Sequence, residues 1–202
     1  MTGIKLCGLS RSCDIAAANA LKPEYIGFVF AQKSRRCVTP EQAAALKQQL
    51  SADIQAVGVF VDEPVENVAE LLQTNVIDLA QLHGGEDEAY IAALRQRTDR
   101  PIIQAFRIAT AEDLNKAVQS SADLILLDSG AGTGTVFDWQ LISHVHRPYF
   151  LAGGLNPDIV ADAIEQLHPY AVDVSSGIET DRVKDQGKMA AFVAAVRKDE
   201  TL

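Results

Sequence analysis

The chain reads as short apolar runs, rich in β-branched residues, separated by longer stretches with helical spacing. The runs fall at residues 4–7, 25–30, 54–61, 77–82, 101–106, 124–127, 148–151 and 170–174. They are near-continuously apolar, as expected of parallel strands covered on both faces. Between them, residues 40–50, 64–73, 86–97, 111–119 and 156–167 carry helical periodicity, and a last helix is expected over 186–197. In the second of these stretches Val65, Val68, Leu71 and Leu72 share one face. Thr39 before Pro40-Glu41, Asn156 before Pro157-Asp158 and Thr110 before Ala111-Glu112-Asp113 each offer an N-cap followed by proline or acids in the first turn.

Eight strand–helix units in 202 residues average about 25 residues each, the compact end of the range for a (β/α)8 barrel. A doubly wound sheet would use only about five or six of the strands, and no G-x-G-x-x-G follows the first one. The expected architecture is α/β, a single TIM-barrel domain over residues 1–202. It has no internal linker and no low-complexity segment, and residues 198–202 read as a frayed tail.

Composition narrows the function more than the fold. No apolar run approaches the roughly 18 residues that span a bilayer. The opening Met1-Thr2-Gly3-Ile4-Lys5-Leu6-Cys7-Gly8 lacks a signal-peptide pattern. The three cysteines, Cys7, Cys13 and Cys37, cannot all pair within one chain and lack metal-ligand spacing. A reduced, cytoplasmic compartment is expected. A net charge of −9, with basic residues scattered except at Lys33-Ser34-Arg35-Arg36, argues against a nucleic-acid partner. It leaves room for a small anion at one focused basic spot.

In such a barrel the chemistry belongs at the carboxyl ends of the strands. Those ends carry Cys7-Gly8, residues 33–36, Asp62, residues 81–83, Arg107, Asp128, Gly153-Gly154 and residues 173–177. Gly153-Gly154 after the seventh strand and Ser175-Ser176-Gly177 after the eighth suit a phosphate seat, because glycine admits close backbone approach and exposed N–H groups hold anions. Asp128, followed by a glycine-rich stretch over 129–135, is a carboxylate at a partly desolvated mouth. It suits proton donation, with a turn acceptor as its plainer role. Cys7 is a base or nucleophile if its pKa falls from about 8.5; otherwise it is a small buried hydrophobe, the reading given to Cys13 and Cys37. Arg36 suits bidentate pairing with a carboxylate, with a solvated surface arginine as the alternative.

Several segments then line up with one family: Lys5-Leu6-Cys7-Gly8-Leu9, Gly27-Phe28-Val29-Phe30 with Lys33-Ser34-Arg35-Arg36, and Gly58-Val59-Phe60-Val61. Gln81-Leu82-His83-Gly84, Leu127-Asp128-Ser129 and Phe137-Asp138-Trp139 follow. Ala152-Gly153-Gly154-Leu155-Asn156-Pro157 and Val172-Asp173-Val174-Ser175-Ser176-Gly177-Ile178-Glu179 complete the set. In this order, from residue 4 to residue 179, the chain resembles phosphoribosylanthranilate isomerase. The resemblance implies a (β/α)8 barrel of tryptophan biosynthesis. It implies an Amadori rearrangement of N-(5-phosphoribosyl)anthranilate to 1-(2-carboxyphenylamino)-1-deoxyribulose 5-phosphate, with no metal or organic cofactor. By the same resemblance Cys7 is the general base, Asp128 the general acid and Arg36 the holder of the anthranilate carboxylate. Gly153, Gly154, Ser175, Ser176 and Gly177 are then the ribose-phosphate seat.

His83 and Asp173 enter as candidate substrate contacts beside Gln81 and Arg107, whose strand-end positions also suit structural hydrogen bonding. Two departures stand out: Cys37 occupies a position where an aromatic residue is expected, and the stretch after Asp128 lacks a basic residue. An indoleglycerol-phosphate synthase-like lyase would want a catalytic lysine and glutamate and an extra amino-terminal helix. A ligand-binding barrel that has lost catalysis is the non-enzyme alternative. The expected partner is a small phosphosugar, and the expected state a monomer, with a dimer as the alternative.

Overall fold

The computed structural model describes residues 2–128 and 139–198. The glycine-rich stretch 129–135, most of the 137–139 motif and the last four residues of the tail lie outside the described residues. Eight parallel strands close into a barrel in sequence order. They are β1 (Gly3–Cys7), β2 (Tyr25–Val29), β3 (Gln55–Phe60), β4 (Leu79–Leu82), β5 (Ile102–Arg107), β6 (Leu124–Asp128), β7 (Tyr149–Ala152) and β8 (Ala171–Val174). The closing pair is β1 on β8, with Lys5 opposite Asp173. Around them run α1 (Ser12–Leu21), α2 (Pro40–Lys47), α3 (Val65–Gln73), α4 (Glu88–Arg95), α5 (Ala111–Gln119), α6 (Val160–Leu167) and α7 (Gln186–Arg197). Among the described residues the connection from β6 to β7 contains only a 3-10 turn, Trp139–Leu141, so the expected eight helices number seven.

Strand residues alternate between two apolar layers, which is why the runs read as continuous. Val57, Leu79, Ile103, Leu126 and Phe150 fill the barrel interior. Their neighbours Ala56, Ala80, Ile102, Ile125 and Leu151 face the helices. The two-residue period carries Lys5 and Cys7, Gln81 and His83, Leu126 and Asp128, and Asp173 and Ser175 onto the inward side, with the polar members toward the mouth. Four of the apolar strands thus present a reactive or hydrogen-bonding residue at the mouth.

Two of the expected caps form. Thr39 accepts from the Gln42 N–H and Thr110 from the Asp113 N–H, each completed as a capping box. The third differs: α6 begins at Val160 with Ile159 at its N-cap, while Asn156 takes the Asp158 N–H at 2.8 Å. Asn156 therefore closes a separate turn that lets β7 leave the barrel before the helix starts. After β8 the chain makes a 3-10 turn (Ser176–Ile178) and a small hairpin, β9 (Glu179–Thr180) with β10 (Val183–Lys184). This hairpin lies beside the mouth. Among the described residues no helix is long and apolar enough to cross a membrane.

Candidate active site

The floor of the site is a buried charge. Lys5 has no exposed surface, yet its ammonium donates to Gln81 Oε1 at 2.7 Å and Asp173 Oδ1 at 3.1 Å. Burial alone would lower its pKa, but Asp173 and the neighbouring Cys7 outweigh that and hold the ammonium above its ordinary value. Cys7 ends β1 one pleat above Lys5, with 7% exposure. Gly27 makes room for it on β2: a Cβ there would stand 2.7 Å from the Cys7 sulfur. Burial pushes the Cys7 thiol up, against the pull of Lys5, with Asp173 adding to the rise and Lys184 opposing it. The shift is upward, not the fall that would ready a thiolate, because the sulfur loses more solvation than the two ammonium groups return.

Above that floor opens a cavity of about 340 Å³ at the carboxyl ends of the strands. Cys7, Arg36, Gln81, His83, Asp128 and Asp173 all line it, as do Gly153, Gly154, Ser175 and Ser176. Val29, Val59 and Val61 supply an apolar wall. Gly153 and Gly154 have φ of 97° and 65°, a left-handed pair that a side-chain-bearing residue would strain to adopt. Ser175 donates to the Cys7 carbonyl at 3.2 Å and so ties the loop after β8 to the end of β1. Two candidates fall outside the lining. Gly177 packs its Cα against the Leu155 carbonyl, where a Cβ would come within 1.9 Å. Arg107 ends β5 exposed to solvent.

Arg36 lies over the cavity in the turn after β2, held by a carboxylate from the far end of the chain. Its Nε and Nη2 donate to Glu179 at 2.6 and 3.0 Å. Arg35 donates to the same carboxylate at 2.6 Å and Lys184 at 2.8 Å. Lys184 also donates to the Ser175 carbonyl at 2.7 Å. Burial by itself would raise the Glu179 carboxyl, but hydrogen bonds from Arg36, Lys184 and Arg35 hold it down at about 2. A folded value below the unfolded one gives stability that is complete above the ordinary glutamate value of about 4.3 and lost as pH falls from there toward 2. Glu179→Gln is expected to lower stability by about 2 kcal/mol at pH 7 and to shrink the loss between pH 7 and 3. Thermal melts of both proteins at the two pH values check this; equal losses would remove Glu179 from the account.

The family described as N-(5'phosphoribosyl)anthranilate (PRA) isomerase matches residues 4–195. The N-(5'-phosphoribosyl)anthranilate isomerase of Endomicrobium trichonymphae is 42% identical over 202 residues, covering 98% of this chain and 99% of that one. The chain belongs to the N-(5'-phosphoribosyl)anthranilate isomerase family. By that membership it is an isomerase of tryptophan biosynthesis, and the lyase alternative falls away. Among solved family structures, the Thermotoga maritima enzyme superimposes with a TM-score of 0.89 at 32% identity, over 98% of this chain and 100% of that one. Another, at 31% identity and a TM-score of 0.86 over 98% and 100% of the two chains, is a complex with reduced 1-(o-carboxyphenylamino)-1-deoxyribulose 5-phosphate.

Within this family member, Cys7 is buried as the motif suggests, whereas Cys13 and Cys37 are exposed, not the buried hydrophobes expected. Cys13 sits on the outer side of α1, and Cys37 follows the turn that carries Arg36. In the sequence Lys5 and Glu179 stand inside motifs with no role of their own, and Lys184 carries no local signal. Glu179 meets Arg36 from 143 positions away, so no local spacing announces the pair. The signal that was present is a lysine in an otherwise apolar strand, which requires an acceptor inside the barrel.

Proposed function

We propose that this isomerase converts N-(5'-phosphoribosyl)anthranilate to its 1-deoxyribulose isomer with Asp128 as general acid and Cys7 as general base. The observation that carries the proposal is the meeting of both groups, Arg36 and the Gly153-Gly154 turn in one cavity. Protonated Asp128 gives its proton to the ribofuranose ring oxygen, the C1–O bond breaks, and a protonated Schiff base forms with the anthranilate nitrogen. That iminium acidifies the sugar C2 proton, which the Cys7 thiolate removes to give an enolamine. Transfer of the C2 hydroxyl proton to solvent and of a solvent proton to C1 completes the ketone. The Gly153-Gly154 and Ser175-Ser176 loops are the proposed phosphate seat, supplying position rather than chemistry. A reduced, cytoplasmic setting belongs to the proposal, since oxidation of the thiol would remove the base.

Turnover of the substrate, generated in place from anthranilate and phosphoribosyl pyrophosphate by the preceding transferase, tests the reading. Growth of a tryptophan auxotroph that lacks the isomerase is the matching test in cells. Tight binding of a reduced product analogue without turnover would instead make the chain a ligand-binding barrel.

Arg36 offers the substrate carboxylate its Nη1–Nη2 edge, since Glu179 occupies the other. Arg36→Ala is expected to raise KM by about 10- to 100-fold with a smaller change in kcat, the cost of a lost charge-assisted pair. An unchanged KM would move the anthranilate site elsewhere. We also take the chain as a monomer, although one Thermotoga maritima structure is described as monomers generated from a dimeric enzyme. Among the described residues the exposed large apolar side chains, Val61, Val118, Ile159, Tyr170 and Val183, are single residues from five separate segments, which supports that reading. Sedimentation at micromolar concentration should give about one chain mass; a two-chain mass refutes it.

A further inference from the structure

Beneath the acid and the base runs a line of hydrogen bonds that the mechanism above leaves unused. It starts at Lys5, whose ammonium has donors only. The Gln81 atom that meets it at 2.7 Å is therefore the amide oxygen. That fixes the other end of the amide: its NH2 group faces His83 Nδ1 at 2.8 Å. An NH2 group is likewise a donor, so Nδ1 must be the bare, accepting nitrogen, and neutral His83 carries its proton on Nε2. Nε2 in turn stands 3.7 Å from Asp128 Oδ2 at the cavity wall. Reversing the amide would set an NH2 group against a fully buried ammonium, two donors facing each other. The charge on Lys5 is itself held by Asp173 at 3.1 Å.

We propose that Gln81 is a positioning residue which, clamped by Lys5, locks His83 in its Nε2–H tautomer and so makes it a fixed hydrogen-bond donor to Asp128. The proposal rests on the assignment of Asp128 as the general acid. At 3.7 Å the pair is longer than a hydrogen bond. The contact matters at the step where Asp128 gives its proton to the ring oxygen and becomes an anion, which draws the N–H inward. His83 donates a hydrogen bond there and transfers no proton, so its state is the same before and after the step. A histidine in the opposite tautomer would present a lone pair to the new carboxylate and oppose its formation. The sequence hint is the Gln81-Leu82-His83 spacing, which puts the amide and the imidazole on the same inward side of β4 and its extension.

The test is a long-range proton–nitrogen correlation spectrum of the full chain labelled with 15N-histidine, recorded near pH 8. His83→Gln assigns the His83 signals among the four histidines. The expected result is a single His83 tautomer with Nε2 protonated; an Nδ1–H tautomer, or an averaged mixture, overturns the proposal. Gln81→Glu keeps the shape but replaces the donor facing His83 with an acceptor. It is expected to move a proton onto Nδ1 and to lower kcat by about tenfold or more while KM changes less than about twofold. A Gln81→Glu protein with an unaltered imidazole spectrum or an unaltered kcat overturns it as well. Failure of the acid assignment looks different: Asp128→Asn would then retain turnover while the wild-type tautomer remains Nε2–H.

Discussion

Asp128→Asn is expected to lower kcat by about a hundredfold or more and to leave KM within a few fold. Asparagine keeps the size and planarity of the carboxyl group, so the packing at the end of β6 should survive. What is lost is an acidic proton. Ring opening leaves electrons on the furanose oxygen, and without a donor that oxygen must depart as an alkoxide. A side-chain amide can stabilise it by a hydrogen bond but cannot neutralise it. Asp128 is inward-facing at the end of its strand, with 29% of its side chain exposed. That is enough contact with solvent to regain a proton between turnovers. Steady-state kinetics with substrate formed in place separates kcat from KM. Near-normal turnover would place the acid elsewhere on the rim, where His83 Nε2 stands 3.7 Å from Asp128 Oδ2.

The barrel was readable from the chain because its strands announce themselves twice. A run such as residues 54–61 is apolar except at Gln55, since Val57 and Val59 face the interior while Ala56 and Phe60 face the helices. Other boundaries differ by one to three residues, the most where α2 ends at Lys47 rather than residue 50, and α6 starts later than expected because Asn156-Pro157 closes a turn of its own rather than capping the helix. The β9–β10 hairpin left no such trace. Each strand is two residues long, and its turn places Asp181 and Arg182 at positive φ without the glycine that usually marks that geometry. The rim residues Cys7, Arg36 and Asp128 were legible because strand ends in a barrel point at the site. Three of their supports were not: Lys5 and Glu179 meet partners 168 and 143 positions away, Lys184 gains its role only where the β9–β10 hairpin sets it against Glu179, and burial turns each from an ordinary polar residue into part of a fixed electrostatic frame.

Cys7→Ala should be the second severe variant, with kcat down by about a hundredfold or more, since it removes the only group proposed to take the C2 proton. Its pH behaviour is the sharper test. A general base acts as the anion, and the folded protein holds the Cys7 thiol above its ordinary value, chiefly by burial. The thiolate is therefore a minor species at neutral pH. In the wild-type enzyme kcat/KM should climb about tenfold per pH unit toward a limb lying above the ordinary thiol value of about 8.5. Cys7→Ser should lose that limb, because an alcohol stays protonated across the accessible range. Lys5 and Lys184 both favour the thiolate, so the negative substrate has to be seated where it does not cancel them. The phosphate turn at Gly153-Gly154 and the guanidinium of Arg36 are proposed to do this by holding both substrate anions on the rim. A kcat/KM that is flat from pH 6 to 9 and unaffected by Cys7→Ser would mean that another group takes the proton.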